Sequence, residues 1–288
     1  MIPKPRYNFS LSWGRWSLDL GVRPHVMGII NVTPDSFSDG GDCLSPQDAV
    51  AQGLKMVEDG ADILDLGGES TRPGAGEVGP EEEMARVLPV IRDLARRINK
   101  PISIDTTKAA VAQAALEAGA AMINDISAGR FDPAMLNLAA QARVPIVLMH
   151  MLGRPRTMQD NPVYRDLMAE IKSFLAQAGD RARSAGSKRE MIILDPGIGF
   201  GKTFDHNLIL INRLRELTGL GQPLLVGVSR KAFLGRLLDG AGPKKRDTAT
   251  AAAVALAAYN GADILRVHDA SRARETLSVV QAVRREHA

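Results

Sequence analysis

Apolar and polar positions alternate along this chain in two rhythms. Short apolar runs stop abruptly at polar or glycine-rich segments, and longer stretches between them repeat apolar residues at helical spacing. The first run, Met27, Gly28, Ile29 and Ile30, leads into Asn31. Pro34 then removes a backbone donor, and Gly40 and Gly41 open conformations closed to other residues, so the run predicts a strand ending at Asn31 and a loop after it. That loop carries Asp35, Ser36, Phe37, Ser38 and Asp39, a dense polar set around one aromatic.

The same unit repeats to the end of the chain. Residues 7–20 alternate about Gly14 and Arg15, which predicts a hairpin ahead of the main fold, capping one end of it. Ala49, Val50, Gly53, Leu54 and Val57 place a helix over 46–59 behind Ser45 as N-cap, with Gly60 closing it. A second strand covers 62–68, and a loop over 69–79 precedes a helix that opens on Glu81, Glu82 and Glu83 and runs to about Asn99. Further strands are predicted at 102–106, 122–127, 146–150, 191–194, 224–229 and 264–268, with helices over 108–118, 133–142 and up to about Ala185, and others between and after the last strands.

An internal echo supports this count. Gly60-Ala61-Asp62-Ile63-Leu64 returns as Gly261-Ala262-Asp263-Ile264-Leu265, with Gly119-Ala120-Ala121-Met122-Ile123 as a looser copy. Each copy ends a helix on glycine and starts a buried strand within three residues, the short joint of a repeating parallel unit. Eight strand–helix units in one chain predict an α/β fold, a closed TIM (β/α)8 barrel, with an open doubly wound sheet second. Residues 1–22 form an N-terminal extension and 23–288 a single barrel domain, a length ordinary for this architecture.

Composition narrows the function classes. The chain is 45% hydrophobic and 24% charged, that of a soluble globular protein, while 4% aromatics leave its core to aliphatic residues and Met. Net charge is only +3, and the basic clusters Lys188-Arg189 and Lys244-Lys245-Arg246 lack interleaved aromatics, so no nucleic-acid surface is expected. No apolar run approaches the roughly 20 residues of a membrane helix, and Pro3, Pro5, Arg6 and Asn8 interrupt any leader-like core. A single cysteine, Cys43, excludes an intrachain disulfide and fits a cytoplasmic protein.

In such a barrel the C-terminal ends of the strands surround one mouth. Those ends supply Asn31, Asp105, Asn124, His150, Asp195, Ser229 with Lys231, and Arg266 with His268. Asp105, Asn124, Asp195 and Lys231 offer carboxylate, amide and ammonium groups suited to a flat heteroaromatic that both donates and accepts hydrogen bonds. Arg266, His268 and Asn31 suggest an anion site with room for Mg²⁺, which takes one or two protein oxygens and completes its shell with water and phosphate. A helix beginning near Asp269 would add backbone donors for phosphate. The segment from Asp195 to Thr203, DPGIGFGKT, ends like a phosphate-binding loop but has Pro196 where that motif needs its first glycine. Its alternate glycines are expected to let a ligand approach the backbone, with Phe200 against it.

With these residues assembled, the chain resembles the dihydropteroate synthases from about Pro24 to Asp269. The resemblance rests on NVTPDSFSDGG (31–41), GADILDLGGESTRPGA (60–75), SIDTTK (103–108), INDIS (123–127), LMHM (148–151), LDPGIGFGK (194–202), VSRKAFLG (228–235) and RVHD (266–269). It implies a barrel that condenses (dihydropterin)methyl diphosphate with para-aminobenzoate, releases diphosphate and is inhibited by sulfonamides. Carried over by position, Asp105, Asn124, Asp195 and Lys231 would hold the pterin. Asn31, Thr71, Arg266 and His268 would hold the diphosphate, with Mg²⁺ at Asn31. Phe37, Arg72, Pro73, Phe200, Ser229 and Lys231 would border the aminobenzoate, and Asp105, Lys231, Arg266 and His268 would act in the reaction. The first two loops would close over the mouth once the diphosphate is seated.

The family pattern Arg-x-x-Gly-Thr reads Arg246-Asp247-Thr248-Ala249-Thr250 here. The helix over 249–259 is apolar nearly all round, which suits burial or the homodimer interface that the resemblance implies. Three other readings compete: a pterin-dependent methyltransferase, a non-catalytic pterin-binding paralogue, and a Schiff-base aldolase using Lys202 or Lys231. The first has no use for Asn31, Arg266 and His268, and the second would be expected to lose Asp35, Phe37, Thr71 and Arg72, all present.

Overall fold

The computed structural model describes residues 9–33, 45–70 and 76–285. Strands β1 (Ser10–Trp13) and β2 (Trp16–Asp19) form the expected antiparallel hairpin. Eight parallel strands follow: β3 (His25–Asn31), β4 (Ile63–Gly67), β5 (Ile102–Asp105), β6 (Met122–Asp125), β7 (Ile146–Met149), β8 (Ile192–Asp195), β9 (Leu225–Val226) and β10 (Ile264–Val267). Between and after them lie α1 (Pro46–Glu58), α2 (Pro80–Arg97), α3 (Ala109–Ala118), α4 (Met135–Ala142), α5 (Leu167–Ser184), α6 (Phe204–Asn212), α7 (Ala232–Leu237), α8 (Asp247–Tyr259) and α9 (Ala270–Arg285).

The strands pair in the order β8-β7-β6-β5-β4-β3-β10-β9, and the two ends meet through one bridge, Leu194 to Leu224. This is the nearly closed barrel that eight units require; sequential pairing leaves no reversal of strand order, the mark of a doubly wound sheet. Strand β9 is shorter than the expected 224–229, because Val228 and Ser229 leave the ladder before Arg230 turns the chain at φ +58° into α7. Ser45 caps α1 as expected, its hydroxyl taking the Asp48 amide while Asp48 reaches back to the Ser45 amide, an arrangement contributing about 1 kcal/mol.

Period-two alternation sorts the strand residues into two populations. Val26, Ile30, Leu64, Leu66, Ile104, Ile123, Leu148, Leu194 and Leu265 face the helices in one large cluster. Met27, Ile63, Met122, Val147, Ile193, Leu225 and Ile264 form a second cluster with Leu11, Trp13, Leu18 and Leu20 of the hairpin. These strand residues lie on the opposite, inward face and near the strand starts, so the hairpin plugs the barrel at the end away from the mouth. The next inward residues up β4, β6 and β10 are Asp65, Asn124 and Arg266, so the filling turns from apolar to polar within two residues.

The internal echo has a physical basis. Asp62 and Asp263 each use Oδ2 to accept an amide from the start of a neighbouring strand segment, Val26 at 3.0 Å and Leu224 at 2.9 Å. Arg23 and Arg274 hold Asp62 as ion pairs. Where the third copy has Ala121 instead, its carbonyl accepts the Trp13 indole N–H at 2.7 Å, and the hairpin supplies the tie.

Helix α8 buries Thr250, Ala253, Val254, Ala257 and Ala258 but leaves Leu256 56% and Tyr259 41% exposed, beside α9 with Val279 65% and Val283 48% exposed. Ala249, in the family's glycine position, is half-buried in a continuous helix that starts at Asp247. Among the described residues no helix is long and apolar enough to cross a membrane.

Candidate active site

The ladder register brings Asn31, Gly67, Asp105 and Asn124 side by side, since Asn31 pairs with Gly67, Gly67 with Asp105, and Asp105 with Asn124. Asp195 stands opposite Met149 on the far side. Every described residue of the expected pterin group therefore ends on one rim or on the segment just beyond it, as period-two strands of matched register demand.

Arg266 is the electrostatic centre. Its Nε donates to Asp65 Oδ2 at 2.6 Å and its Nη2 to Asp105 Oδ2 at 2.6 Å, while Asn124 Nδ2 donates to the same Asp65 oxygen at 3.0 Å. Burial works against the guanidinium charge, but Asp65 and Asp105 more than offset it and hold its pKa above the ordinary value. Burial pushes Asp105 up to about 7, against the pull of Arg266 and with the help of Asp65, Glu83 and Asp125. Asp195 is pushed up to about 6 by burial, opposed by the hydrogen bond from the Gly197 amide at 2.7 Å and by Lys231, Lys202 and Arg266. The anion reading of Arg266 is thus incomplete: its side edge is held by carboxylates, and only Nη1 has no acceptor among the described residues.

Lys231 lies over the Phe200 ring, its Nζ 4.2 Å from the centroid. Burial and the charge of Arg266 lower it to about 8, against Asp195 and Asp105. The glycines before Phe200 make room for neighbouring protein groups. A Cβ on Gly197 would sit 2.0 Å from the His150 carbonyl oxygen, and one on Gly199 would meet the Lys231 side chain at 3.0 Å. Both residues have positive φ, and glycine here lets protein groups approach the backbone closely. The segment is pinned throughout: Gln159 donates to the Gly199 carbonyl, Tyr164 to the Gly201 carbonyl, and Asn207 accepts the Gly199 amide, each at 2.7 Å.

His150 and Lys202 belong to this scaffold. Lys202 Nζ bonds His150 Nδ1 at 2.9 Å and the Phe200 carbonyl at 2.9 Å, and His150 packs edge-on against Phe174. Burial and neighbouring positive charge hold the His150 imidazole well below its usual range, so it serves as acceptor to the ammonium. Lys202, lowered to about 7 by burial, is only 3% exposed, which leaves no approach for the carbonyl carbon of an aldolase substrate.

On the other side of Arg266, the Ser229 hydroxyl bridges to His268, accepting its backbone N–H at 3.2 Å and meeting Nδ1 at 2.9 Å. Asp269 caps α9 with its own side chain, which accepts the Arg272 amide at 2.9 Å. One of the donors expected for phosphate is therefore occupied by a carboxylate. Asn31 is half-buried at the tip of β3, and its side chain has no hydrogen-bond partner among the described residues. Phe37, Thr71, Arg72 and Pro73 lie outside the described residues, as do Asp35 and Cys43.

Four residues of the mouth and its base are not marked out by the sequence pattern. Asp65 sits inside an apolar strand, and its inward period-two position is the one signal available. Glu69, Lys108 and Glu83 form a junction at the base of the second loop, Glu83 buried and the other two half-buried. Lys108 Nζ lies 2.5 Å from Glu69 and 2.7 Å from Glu83, and Glu69 also accepts the Val78 amide at 3.0 Å. Glu83, expected as part of an acidic helix start, is fully buried, and nothing in its spacing distinguishes it from Glu81 or Glu82.

Comparison with known proteins gives consistent results. Residues 27–268 match the family of pterin binding enzymes. The chain is 50% identical over 270 residues to the dihydropteroate synthase of Synechocystis, covering 94% of this chain and 93% of the relative. The structure of the Yersinia pestis dihydropteroate synthase with a sulfonamide drug complex matches at TM-score 0.92 and 45% identity, over 96% of this chain and 99% of the other. That of Xanthomonas albilineans with 4-aminobenzoic acid matches at TM-score 0.89 and 47% identity, over 96% and 98%.

Proposed function

The chain belongs to the dihydropteroate synthase family of pterin-binding enzymes, and from that premise we propose how its barrel mouth makes 7,8-dihydropteroate. The substrates are (7,8-dihydropterin-6-yl)methyl diphosphate and para-aminobenzoate, and the by-product is diphosphate. The assignment of roles rests on the inward layer in which Arg266 is tied to Asp65 and Asp105 beside Asn124.

A pterin ring presents an amino group and ring N–H groups as donors and a carbonyl and ring nitrogens as acceptors. Asp105 and Asp195 accept from the donors, Asn124 supplies both kinds of group, and Lys231 donates. The diphosphate takes the N–H groups of Arg266 that Asp65 and Asp105 leave over, together with His268 and Thr71. Phe200 and Ser229 border the aminobenzoate with Phe37, Arg72 and Pro73. An arylamine is a weak nucleophile, so rate comes from departure of the diphosphate. As the methylene carbon–oxygen bond breaks, negative charge grows on the leaving group beside Arg266 and positive charge spreads into the pterin beside Asp105. The amine nitrogen forms the new bond and releases its proton. Fixed charges in a buried site stabilise such a charge-separating step without having to reorganise, and they are its main source of acceleration.

Asn31 suits Mg²⁺. It offers one neutral oxygen that no described residue engages, and no group of three or more His, Cys, Asp or Glu able to hold a metal occurs among the described residues. An ion held largely by substrate phosphate and water requires no more. When bound there, Mg²⁺ supplies charge neutralisation on the diphosphate. The exposed Leu256, Tyr259, Val279 and Val283 of α8 and α9 support a homodimer across this face, in a cytoplasmic enzyme; a monomer in sedimentation at micromolar concentration would remove the dimer.

The titrating groups set a pH profile. Asp195 and Asp105, held near 6 and 7, must be ionised to accept from the pterin, so activity rises with pH through that range. Lys231, held near 8, must be protonated to donate, and Lys202, near 7, to tie the Phe200 segment, so activity falls above it. A bell in kcat/KM with its maximum near neutrality is expected, with losses of about tenfold or more at the extremes of pH 5.5 and 9.5. A profile flat across that span would contradict these assignments.

A further inference from the structure

Asp65 is fully buried, so it reaches neither substrate, yet it contacts both halves of the mouth. Its Oδ2 accepts from Arg266 Nε on β10 and from Asn124 Nδ2 on β6, strands each two places from β4 in the barrel. Its Oδ1 is buried without a hydrogen-bond partner. A residue kept only for packing would not be a carboxylate with one oxygen stranded, since an apolar side chain of that size fills such a place at lower cost. Resting on the reading of the mouth as a pterin diphosphate pocket, we propose that Asp65 is the positioning residue that aims Arg266 at the diphosphate and Asn124 at the pterin.

The geometry explains why one residue can do both. With Nε on Asp65 and Nη2 on Asp105, the guanidinium plane is fixed by its side edge, and both N–H groups of Nη1 and the second of Nη2 are left for a ligand. One amide N–H of Asn124 spent on Asp65 fixes the plane of that side chain, leaving its oxygen and second N–H to face elsewhere. The negative charge of Asp65 also acts on Asp105, which faces Arg266, Glu83, Asp125 and Lys231 as well.

The test is Asp65→Asn in the full-length chain, which keeps shape and removes charge. Diphosphate release from the pterin diphosphate with para-aminobenzoate is followed from pH 5 to 10. The expected result is a kcat lower by about 100-fold, the scale of an ångström's misplacement of catalytic groups, with KM for para-aminobenzoate unchanged within about twofold. The acid limb moves to lower pH, because Asp105 has lost a like-charged neighbour and ionises more readily. A folded variant with wild-type kcat and an unmoved acid limb would overturn the proposal.

Arg266→Lys tests the same point without altering Asp65, and serves if Asp65→Asn does not fold. It keeps the charge but loses the guanidinium fork that spans Asp65 and Asp105. A loss as large as that of Arg266→Ala supports aiming by Asp65, while near-wild-type turnover overturns it. Should the wild type itself release no diphosphate, the synthase reading fails first. Binding of inorganic diphosphate to wild type and both variants, by calorimetry, then decides the role of Asp65: weaker binding in the variants supports it and equal binding overturns it.

Discussion

Arg266→Ala is expected to lower kcat/KM for the pterin diphosphate by about 10²–10³-fold and to destabilise the fold by about 3–5 kcal/mol. The size follows from what the substitution strands. Asp65 and Asp105 both rely on this one guanidinium, at 2.6 Å each, and Asp65 is fully buried. An exposed pair such as Lys55 with Asp59, one helical turn apart at the end of α1, contributes only about 0.3–0.5 kcal/mol, so its loss would pass unnoticed. The sign of the pH dependence follows from the same contacts. Arg266 pulls the Asp105 carboxyl down from where burial would put it, so removing the cation raises it above about 7. A carboxyl whose folded pKa exceeds its unfolded one binds more protons when folded, and stability then falls as pH rises between the two values. The variant should therefore be closest to wild-type stability near pH 4 and lose ground progressively through and beyond pH 7. Thermal unfolding across that range checks this; a deficit independent of pH would show that Arg266 is not the counter-ion of Asp105.

Lys231→Ala should cost about 10²–10³-fold in kcat/KM as well, with a different signature. Lys231 lies over Phe200, close to Asp195 and Asp105, at the border between the proposed pterin and aminobenzoate places. Its removal should raise KM for both substrates, whereas Arg266→Ala should act through the diphosphate. Because Lys231 lowers the Asp195 carboxyl, the acid limb should move upward, and the alkaline contribution near pH 8 should disappear. Stability should change less than in Arg266→Ala, since Lys231 is held by a cation–π contact and leaves no directly bonded carboxylate stranded. Retention of the alkaline contribution near pH 8 together with the wild-type KM values would remove Lys231 from the site.

The barrel is legible in the sequence because its grammar is local. Apolar runs ending in polar residues repeat eight times with helices between them, three of the joints share a glycine-ended helix, and the strand C-termini can be read off as one rim before any contact is known. Gly60-Ala61-Asp62 and Gly261-Ala262-Asp263 form an echo in their letters alone, although the amide each aspartate accepts is visible only in the fold. Partnership between distant residues resists reading. Arg266 and Asp65 are 201 positions apart, and an arginine near His268 looks like an anion ligand until its carboxylates are found. Asp65 is concealed because its strand reads as a buried run, in which a charged residue has no local partner to announce it. The alternating glycines after Asp195 suggest close approach to the backbone, but that the His150 carbonyl and Lys231 are what approach their Cβ side is visible only in the fold. Glu83 is alike in type to its exposed neighbours Glu81 and Glu82, and only the arrival of Lys108 from the next unit sets it apart.

If this mouth couples departure of diphosphate to attack by an arylamine on a pterin-bound methylene, the two products must appear together. The decisive experiment measures diphosphate and dihydropteroate from (7,8-dihydropterin-6-yl)methyl diphosphate, with and without para-aminobenzoate and Mg²⁺. Equal amounts of both products are expected, dependent on Mg²⁺, with loss of both together in Lys231→Ala and Arg266→Ala. Pterin binding with no dihydropteroate under any of these conditions would contradict the coupling and leave the barrel as a pterin binder.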